Sequence, residues 1–348
     1  MTVNGTARAS GRKPRVVALG EPKFIGEEYL SSFRTEFDYS VLEAYDYAST
    51  KRMLPEDIAK NGPIDAFIIR MGTPPYEPFD ETLLGPLAPN CKIIASASAG
   101  YNEFDVEWAA RAGMWFCNSV DAVAEATADM GIFLLLGALR NTSNAEKSLR
   151  SGTFRSAPGL IPARDPAGLT LGIVGLGAIG KYMAKKARAF NMKIKYYNRH
   201  RLPEAEEAKY GATYCASLHE LLGCADVVSL NCPLNANTTG LMSTAEFAAM
   251  KDGAFLINTA RGAVIDEPAL IQALESGKVA RAGLDVFCNE PNIDPYFLTT
   301  DKVVMQPHLG GLTDFAYHKA EKECFENIRA FYKTGRPNSP VIEIKPKK

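Results

Sequence analysis

The sequence predicts an α/β protein built from two doubly wound parallel-sheet domains. Three observations lead to this prediction. A strand, a glycine-rich turn, a helix and a second strand follow one another from Leu169 to Arg199. Strand-like runs alternate with helical patterns before this unit, and a second such series comes after it. This alternation is typical of parallel sheets whose two faces are covered by crossover helices.

The first half of the chain contains five strand-like runs. They are Val16–Gly20, Tyr39–Glu43, Ala66–Arg70, Lys92–Ser98 and Met114–Asn118. The helical patterns between them are Gly26–Arg34, Glu56–Lys60, Glu81–Leu87 and Val106–Ala112. This half has no phosphate-binding glycine signature, so we expect it to hold a ligand other than a nucleotide.

The second half contains seven further runs. They are Leu171–Gly175, Lys193–Asn198, Thr213–Cys215, Asp226–Asn231, Ala254–Asn258, Arg281–Val286 and Val303–Gln306. In the turn after the first run, Gly175, Gly177 and Gly180 allow a tight turn, a close approach to a pyrophosphate, and close packing of helix on strand. The pyrophosphate would accept hydrogen bonds from the first N–H groups of the helix, including those of Ala178 and Ile179.

The expected domains are residues 1–122 with 314–348, which bind the substrate, and residues 123–313, which bind the dinucleotide. The apolar helix at Val123–Arg140 is expected to be buried on several sides and to contribute to a subunit interface. The polar segment Asn141–Asp165 is predicted to be an extended arm. A helix at Thr313–Tyr332 returns the chain to the first domain, which predicts two lobes with an active-site cleft between them.

Composition excludes several classes of protein. The chain has 348 residues and a net charge of −1, which argues against a nucleic-acid partner. Seven scattered cysteines without a CxxC pair indicate reduced thiols, a cytoplasmic location and no structural metal. The first fourteen residues have no secretory apolar stretch, although they lack acids as transit peptides do. The longest apolar run, Ile132–Leu136, is too short to cross a membrane.

Three predicted strands of the second domain end in polar residues that are candidates for chemistry. Arg261 could be a surface ion-pair residue or a clamp for a carboxylate. Asp285 could cap a loop, and Glu290 could simply be solvated. His308 could be structural, but it precedes two glycines, as expected where backbone closes around a ligand. A neighbouring carboxylate would stabilise its imidazolium and make it a usable acid and base.

These stretches together resemble the D-isomer-specific 2-hydroxyacid dehydrogenase family. The motifs are VGLGAIG, NTARG, LDVFCNEP and PHLGG, and they occur in the family's order. GYNEFD, VAEATADM and LNCPLNANTTGLM extend the resemblance over nearly the whole chain. The resemblance implies a flavodoxin-like substrate domain, a Rossmann NAD(P)-binding domain and a homodimer formed through the Rossmann domain and the 123–165 helix and arm.

The resemblance also implies a role for each matching residue. Arg261 would bind the substrate carboxylate and polarise the 2-oxo group, His308 would be the acid/base, and Glu290 would orient and charge it. Main-chain amides at Ser98, Ala99 and Gly100 would be a second carboxylate anchor. The implied cofactor contacts are Thr127, Gly175, Gly177, Ala178, Ile179, Gly180, Cys232, Pro233, Thr238, Thr259, Ala260, Asp285 and Gly310.

The sequence defines the substrate, and the choice between NAD and NADP, less closely than it defines the family. Met71 and Tyr76, in the segment MGTPPYEP, favour a bulky apolar substrate of the mandelate type. Alternatives are a glyoxylate or hydroxypyruvate reductase and a non-catalytic, NAD(H)-sensing, corepressor-like protein. Asn198 stands where NAD-specific sites usually place an acid, and Arg199 follows it. NAD is expected as the family default, and use of NADP remains open.

Overall fold

The computed structural model describes residues 12–70, 76–154 and 162–344, so Met71 lies outside the described residues. The chain divides into two compact units. Unit one comprises Met1–Val123 and Leu312–Lys348, and unit two comprises Ala124–Gly311.

The described residues form two sheets and a series of helices. The strands are β1 (Arg15–Leu19), β2 (Asp38–Leu42), β3 (Ala66–Ile69), β4 (Ile93–Ser96), β5 (Trp115–Cys117), β6 (Thr170–Val174), β7 (Lys193–Tyr197), β8 (Ala212–Tyr214), β9 (Val227–Leu230), β10 (Ala254–Asn258), β11 (Val279–Leu284) and β12 (Val303–Met305). The α-helices are α1 (Glu27–Glu36), α2 (Tyr47–Asn61), α3 (Glu81–Leu84), α4 (Val106–Arg111), α5 (Val120–Arg140), α6 (Thr142–Arg150), α7 (Ala178–Ala189), α8 (Glu204–Tyr210), α9 (Leu218–Cys224), α10 (Thr244–Ala249), α11 (Glu267–Glu275), α12 (Pro295–Thr299) and α13 (Asp314–Thr334). Short 3₁₀ turns occupy Gly85–Leu87 and Gly262–Val264.

Both sheets are parallel throughout, which confirms the predicted fold class. Unit one has the strand order β2-β1-β3-β4-β5, and unit two has the order β12-β11-β10-β9-β6-β7-β8. Each of the twelve predicted strand runs overlaps one of these strands. The central strands are continuous apolar runs because helices cover both faces of each sheet.

The core of unit two consists of two apolar clusters on opposite faces of its sheet. Leu256 of β10 packs in one cluster, whereas its neighbours Phe255 and Ile257 pack in the other. Leu135 of α5 and Met183 of α7 lie on the second face. This alternation holds β10 between two helical layers and fixes the carboxyl end of the strand, where Arg261 follows.

Two predicted segments differ from the structure. The helix expected over Glu56–Lys60 is α2, which begins nine residues earlier at Tyr47 and carries Pro55 inside it. The segment 141–165, expected to be an extended arm, contains the helix α6. None of its residues is buried, and the ion pairs Arg150–Glu146 and Lys147–Asp301 lie exposed on its surface.

Helix α5 is long and apolar enough to pass a composition test for a membrane span, and it is the only such helix among the described residues. Two thirds of the tested window (67%) is nevertheless buried within the protein, as is usual for the core helix of a globular domain.

Candidate active site

The glycine-rich turn after β6 has room for a ligand only at one of its three glycines. A Cβ built on Gly175 (φ +97°) would lie 2.9 Å from the carbonyl carbon of Asn231, and one on Gly180 would overlap the carbonyl oxygen of Gly175. A Cβ on Gly177 would meet no atom within 4 Å. Gly177 is the N-cap of α7, so the first N–H groups of that helix face open space. A pyrophosphate fits this terminus.

The loop after β7 is held at both ends. The Asn198 side chain accepts a hydrogen bond from the N–H of Leu176 (2.7 Å), and the hydroxyl of Tyr196 accepts one from the N–H of Leu202 (2.9 Å). Arg201 donates two hydrogen bonds to Glu207, at 2.9 and 2.8 Å. This pair, with the Tyr196 hydroxyl (2.6 Å), lowers the pKa of Glu207 to about 2. The Arg201 guanidinium is therefore engaged by the Glu207 carboxylate.

The loop that carries Arg261 is positioned by Asn258 and Gly262. The Asn258 side chain is fully buried; it accepts a hydrogen bond from Ala260 N–H (3.0 Å) and donates one to the carbonyl of Arg261 (2.9 Å). A Cβ on Gly262 would overlap the main chain of Phe287 and Cys288. The absence of a side chain at 262 thus lets the Arg261 loop pack directly on the loop that carries Glu290.

His308 and Glu290 form a hydrogen-bonded pair. The Nδ1 atom of His308 lies 2.7 Å from Oε2 of Glu290, whose other oxygen accepts the N–H of Phe287 at 2.8 Å. His308 adopts a left-handed conformation (φ +56°), and its N–H donates to the carbonyl of Asp285 (2.8 Å). Strained, over-determined geometry of this kind is common at functional sites. With Nδ1 engaged, the Nε2 atom is the one that can exchange a proton with a ligand.

Glu290 is kept ionised by its surroundings. Burial alone would raise the pKa of Glu290, but the hydrogen bonds from His308 and from the N–H of Phe287 outweigh it, and the positive charge of Arg261 adds to them. The net result is a lowered pKa. The ionised carboxylate fixes the imidazole through Nδ1, so the pair can exchange a proton with a substrate oxygen at Nε2.

Asp285 closes the loop around His308. Burial raises its pKa, although its two oxygens accept the N–H groups of Leu309 and Gly310, each at 2.8 Å. A Cβ on Gly310 would lie 2.8 Å from Oδ2 of Asp285 and 3.2 Å from the methyl carbon of Thr127. Asp285 therefore caps this loop, and the cofactor contact that the resemblance implies for it stays a prediction.

Other predicted cofactor residues lie at the carboxyl ends of β9 and β10. Cys232 and the exposed Pro233 follow β9, and the Thr238 hydroxyl donates to the carbonyl of Pro233 (2.6 Å). Thr259 and Ala260 follow β10. The buried atoms Asn231 Oδ1 and Thr259 Oγ1 have no hydrogen-bond partner among the described residues. Unpaired polar atoms beside the open helix terminus fit a polar dinucleotide that completes their hydrogen bonding.

The predicted substrate residues of the described chain lie in unit one. Ser98, Ala99 and Gly100 follow β4 and are half-buried. Their loop is anchored because Ser98 O accepts the N–H of Ser119 and Ala99 O accepts the Asn118 side chain. Tyr76 was predicted to line the substrate mouth. It is instead a core residue, 2% exposed, and its hydroxyl donates to Ala44 O (3.1 Å).

Sequence reasoning missed several residues that support the site. Asn258 and Asn231 each come at the carboxyl end of a buried strand, and a polar residue at such a position is a detectable signal. Glu207 and Tyr196 gave no comparable signal, because their link to Arg201 exists only once β7 and α8 pack together. Among the described residues, no group of three or more His, Cys, Asp or Glu side chains could hold a metal ion.

Unit two combines a doubly wound sheet and a glycine-rich turn with a histidine–carboxylate pair, which lies beside an arginine at the carboxyl ends of the strands. These features together define a nicotinamide-dependent oxidoreductase. The family model for the D-isomer specific 2-hydroxyacid dehydrogenase NAD-binding domain matches residues 132–310. Dehydrogenase efuE of Hormonema carpetanum is 55% identical over 343 residues, which cover 99% of this chain and 85% of that protein.

Two solved structures extend the comparison. A glyoxylate reductase from Paecilomyes thermophila has a TM-score of 0.87 and 35% identity, covering 96% of this chain and 99% of the other. The holo form of D-mandelate dehydrogenase from Rhodotorula graminis has a TM-score of 0.87 and 32% identity, covering 97% and 100%. The chain belongs to the D-isomer-specific 2-hydroxyacid dehydrogenase family, and it is an NAD(P)-dependent oxidoreductase that acts on a CH–OH group.

Proposed function

We propose that this enzyme interconverts 2-oxo acids and D-2-hydroxy acids, with Arg261, Glu290 and His308 as its catalytic residues. The observation that carries the proposal is the 2.7 Å contact between His308 and an ionised Glu290, on a loop packed against that of Arg261. A single cation and a single acid/base suffice for this reaction when a nicotinamide is bound.

Each of the three side chains has a distinct task. The Arg261 guanidinium binds the substrate carboxylate in a bidentate manner and polarises the neighbouring 2-oxo group. His308 delivers a proton from Nε2 to the oxygen on C2 during reduction and removes it during oxidation. Glu290 holds the ring through Nδ1, so that Nε2 is the atom presented to the substrate. A nicotinamide cofactor, when bound at the glycine-rich turn, would supply or accept the hydride for this reaction.

The remaining site residues are proposed to bind cofactor and substrate. The main-chain amides of Ser98, Ala99 and Gly100 are the proposed contribution of unit one to carboxylate binding. The proposed cofactor contacts are Thr127, Gly175, Gly177, Ala178, Ile179, Gly180, Asn198, Arg199, Cys232, Pro233, Thr238, Thr259, Ala260, Asp285 and Gly310. We leave Tyr76 out of the proposed site because its side chain is in the core.

We propose a substrate with a bulky apolar or aromatic side chain, of the mandelate or phenylglyoxylate type. The likeness to D-mandelate dehydrogenase supports it. The likeness to a glyoxylate reductase supports the alternative of a small substrate such as glyoxylate or hydroxypyruvate.

The test is consumption of reduced cofactor with phenylglyoxylate, 4-methyl-2-oxopentanoate, glyoxylate and hydroxypyruvate. The proposal predicts the highest kcat/KM for one of the first two and a D-configured product. A preference for glyoxylate or hydroxypyruvate would overturn the substrate proposal. Absence of turnover with every 2-oxo acid, with cofactor binding intact, would indicate a nucleotide-sensing binding protein instead.

We further propose, in place of the NAD expected as the family default, that NADPH is preferred over NADH. The side chain at 198 is a neutral carboxamide, so no negative charge repels a 2′-phosphate. Arg201 is tied to Glu207, whereas Arg199 is exposed and makes no hydrogen bond or ion pair within the described chain. Because the loop is fixed at Asn198 and Leu202, Arg199 is presented on a rigid segment and can bind a phosphate.

Arg199→Ala tests this preference. We expect the KM for NADPH to rise about tenfold or more, the cost of losing one charge-assisted contact. The KM for NADH, which lacks the phosphate, should change less than twofold and serves as the internal control. A wild-type preference for NADH, or an equal effect on both cofactors, would contradict the proposal.

We propose a cytoplasmic homodimer. The seven cysteines are free thiols, as is usual in a reducing compartment. Three large apolar side chains in the predicted interface segment are exposed in the single chain, namely Phe133 of α5, Leu149 of α6 and Phe154. A second copy would remove them from water.

A further inference from the structure

Exposed aromatic side chains lie at the carboxyl edge of the unit-one sheet. Gly20 and Arg70 directly follow β1 and β3, and Tyr45 comes three residues after β2. Because the strands are parallel, all three positions share one edge with the segment 98–100 that follows β4. Ligands of such sheets bind at this edge.

Tyr45 is held in place by Arg70. The guanidinium carbon of Arg70 lies 5.7 Å from the centre of the Tyr45 ring. A Cβ on Gly20 (φ +72°) would lie 2.5 Å from Nε of Arg70 and 3.3 Å from the Tyr45 ring. The lack of a side chain at 20 therefore lets the arginine and the tyrosine pack against the end of β1. Tyr45 nonetheless remains 47% exposed.

Phe24 is presented by a loop that α13 anchors. The buried carboxylate of Glu321 accepts the N–H groups of Lys23 (3.0 Å), Phe24 (2.7 Å) and Ile25 (2.8 Å). The Nδ1 atom of His318 lies 2.7 Å from the carbonyl of Phe24. Burial raises the pKa of Glu321, but the three N–H groups and the charge of Arg70 oppose that rise.

The Phe24 ring itself is only partly covered. It packs edge-on against Tyr317, with ring centres 4.9 Å apart, and stays 41% exposed. The backbone of residues 23–25 makes four hydrogen bonds, three to Glu321 and one to His318. The Phe24 ring is therefore exposed on a firmly held loop. Rigid aromatic rings lose little entropy when they cover an apolar ligand, which makes them suitable contacts for one.

We propose that Phe24 and Tyr45 form an aromatic rim that receives the side chain of the 2-oxo acid, with Arg70 as the residue that positions Tyr45. This inference rests on the proposed function and deepens it, because it names the residues that select an apolar side chain. The class of substrate is a 2-oxo acid whose C3 bears a branched alkyl group, or whose C2 bears an aryl group. Glyoxylate, which has no side chain, gains nothing from the rim.

The test compares Phe24→Ala and Tyr45→Ala with Tyr45→Phe, which keeps the ring, and with Leu298→Ala, an exposed apolar residue of α12. kcat/KM is measured for phenylglyoxylate, 4-methyl-2-oxopentanoate and glyoxylate, and Tm is measured for each variant. We expect each alanine variant of the rim to lose about tenfold for the better of the two larger acids and less than twofold for glyoxylate. Tyr45→Phe and Leu298→Ala should keep the wild-type ratio of kcat/KM for the larger acids to kcat/KM for glyoxylate.

An equal loss for glyoxylate and the larger acids would assign the rim a structural role, and an unchanged ratio would remove it from recognition; either result overturns the inference. If Phe24→Ala shows no cooperative thermal transition, Phe24→Leu and the Tyr45 variants decide the question. A wild-type enzyme that reduces none of the three acids would overturn the proposed function, and the rim with it. If the wild-type enzyme reduces these acids and the variants keep the same ratio of kcat/KM between the larger acids and glyoxylate, only the rim proposal is overturned.

Discussion

His308 and Glu290 show how single residues depend on the backbone that holds them. The histidine adopts φ +56°, and the main chain around it is fixed by Asp285 through three hydrogen bonds. A residue with a Cβ pays for this conformation in strain, which the surrounding hydrogen bonds offset. The imidazole is therefore aimed before any ligand binds, and its orientation relative to Glu290 is built into the fold.

Glu290→Gln is predicted to change the pH profile of the proposed reaction. The pKa of Glu290 lies below its ordinary value of 4.5, so its side chain is ionised at every pH above 4.5. The contribution of this charge to catalysis is lost only as the pH falls through the lowered pKa. The wild-type kcat/KM for reduction should therefore lose this contribution only below pH 4.5. The variant has no carboxylate to protonate, so its profile should lack this acid limb, and its kcat/KM above pH 5 should be about tenfold lower than that of the wild type because one charge-assisted hydrogen bond to His308 is lost.

The matched control for this variant is Glu246→Gln. It removes the carboxylate from a second histidine pair, His219–Glu246 (3.2 Å), on the surface of unit two. Its profile should match that of the wild type. A Glu290→Gln profile that also matches the wild type would remove Glu290 from the acid/base step.

The fixed elements of the site are strand ends and the turns that follow them. Residue types at these positions could be read from the sequence: glycines after β6, Arg261 after β10, Glu290 after β11 and His308 after β12. The Gly262–Phe287 contact could not, since it arises from packing between segments distant in sequence, and neither could the Glu207–Tyr196 hydrogen bond, which joins α8 to β7.

The helices show the same limit. The strands were predictable because continuous apolar runs bounded by turn residues leave little choice of conformation. Pro55 concealed the first part of α2, since proline usually marks a first turn; the capping box of Asp46 and Ser49 begins the helix further upstream. Helix α6 was missed because it is short, mostly polar and buries none of its residues, so no apolar run marks it in the sequence.

Gly177→Ala and Gly180→Ala are predicted to separate binding from folding. A Cβ at 177 meets no protein atom, so the free energy of unfolding should be unchanged, whereas the dissociation constant for NADPH should rise about tenfold because the backbone can no longer approach the pyrophosphate. A Cβ at 180 overlaps the Gly175 carbonyl and should destabilise the fold by about 2 kcal/mol.

Denaturant unfolding and fluorescence titration with NADPH measure the two effects. Wild-type affinity in Gly177→Ala would show that the dinucleotide does not approach this turn. Unaltered stability in Gly180→Ala would show that the helix and the turn can separate at little cost.

At the scale of the whole molecule, a single chain leaves apolar surface uncovered in unit two. Phe133 is 51% exposed although most of its neighbours in the second half of α5 are buried, and Leu149 and Phe154 are more exposed still. Large apolar side chains gathered in one segment are typical of a protein interface. This is the segment that the resemblance assigns to a homodimer.

Phe133→Glu is predicted to yield a monomer. A carboxylate cannot be buried at a subunit interface without a partner, and the cost of about 2 kcal/mol or more would act twice in a symmetric dimer. Light scattering coupled to size exclusion measures the mass. Leu298→Glu, on an exposed side chain of α12, is the control and should remain dimeric. A wild-type monomer, or a dimeric Phe133→Glu variant, would contradict the proposed interface.

The central claim, that His308 is the acid of a 2-oxo acid reductase, is tested most directly by turnover and NADPH binding measured together in His308→Asn. The account predicts that kcat with the best 2-oxo acid falls by about 10³-fold, while the dissociation constant for NADPH stays within twofold of the wild-type value and His219→Asn behaves as wild type. Turnover within a few-fold of wild type in His308→Asn would contradict the account.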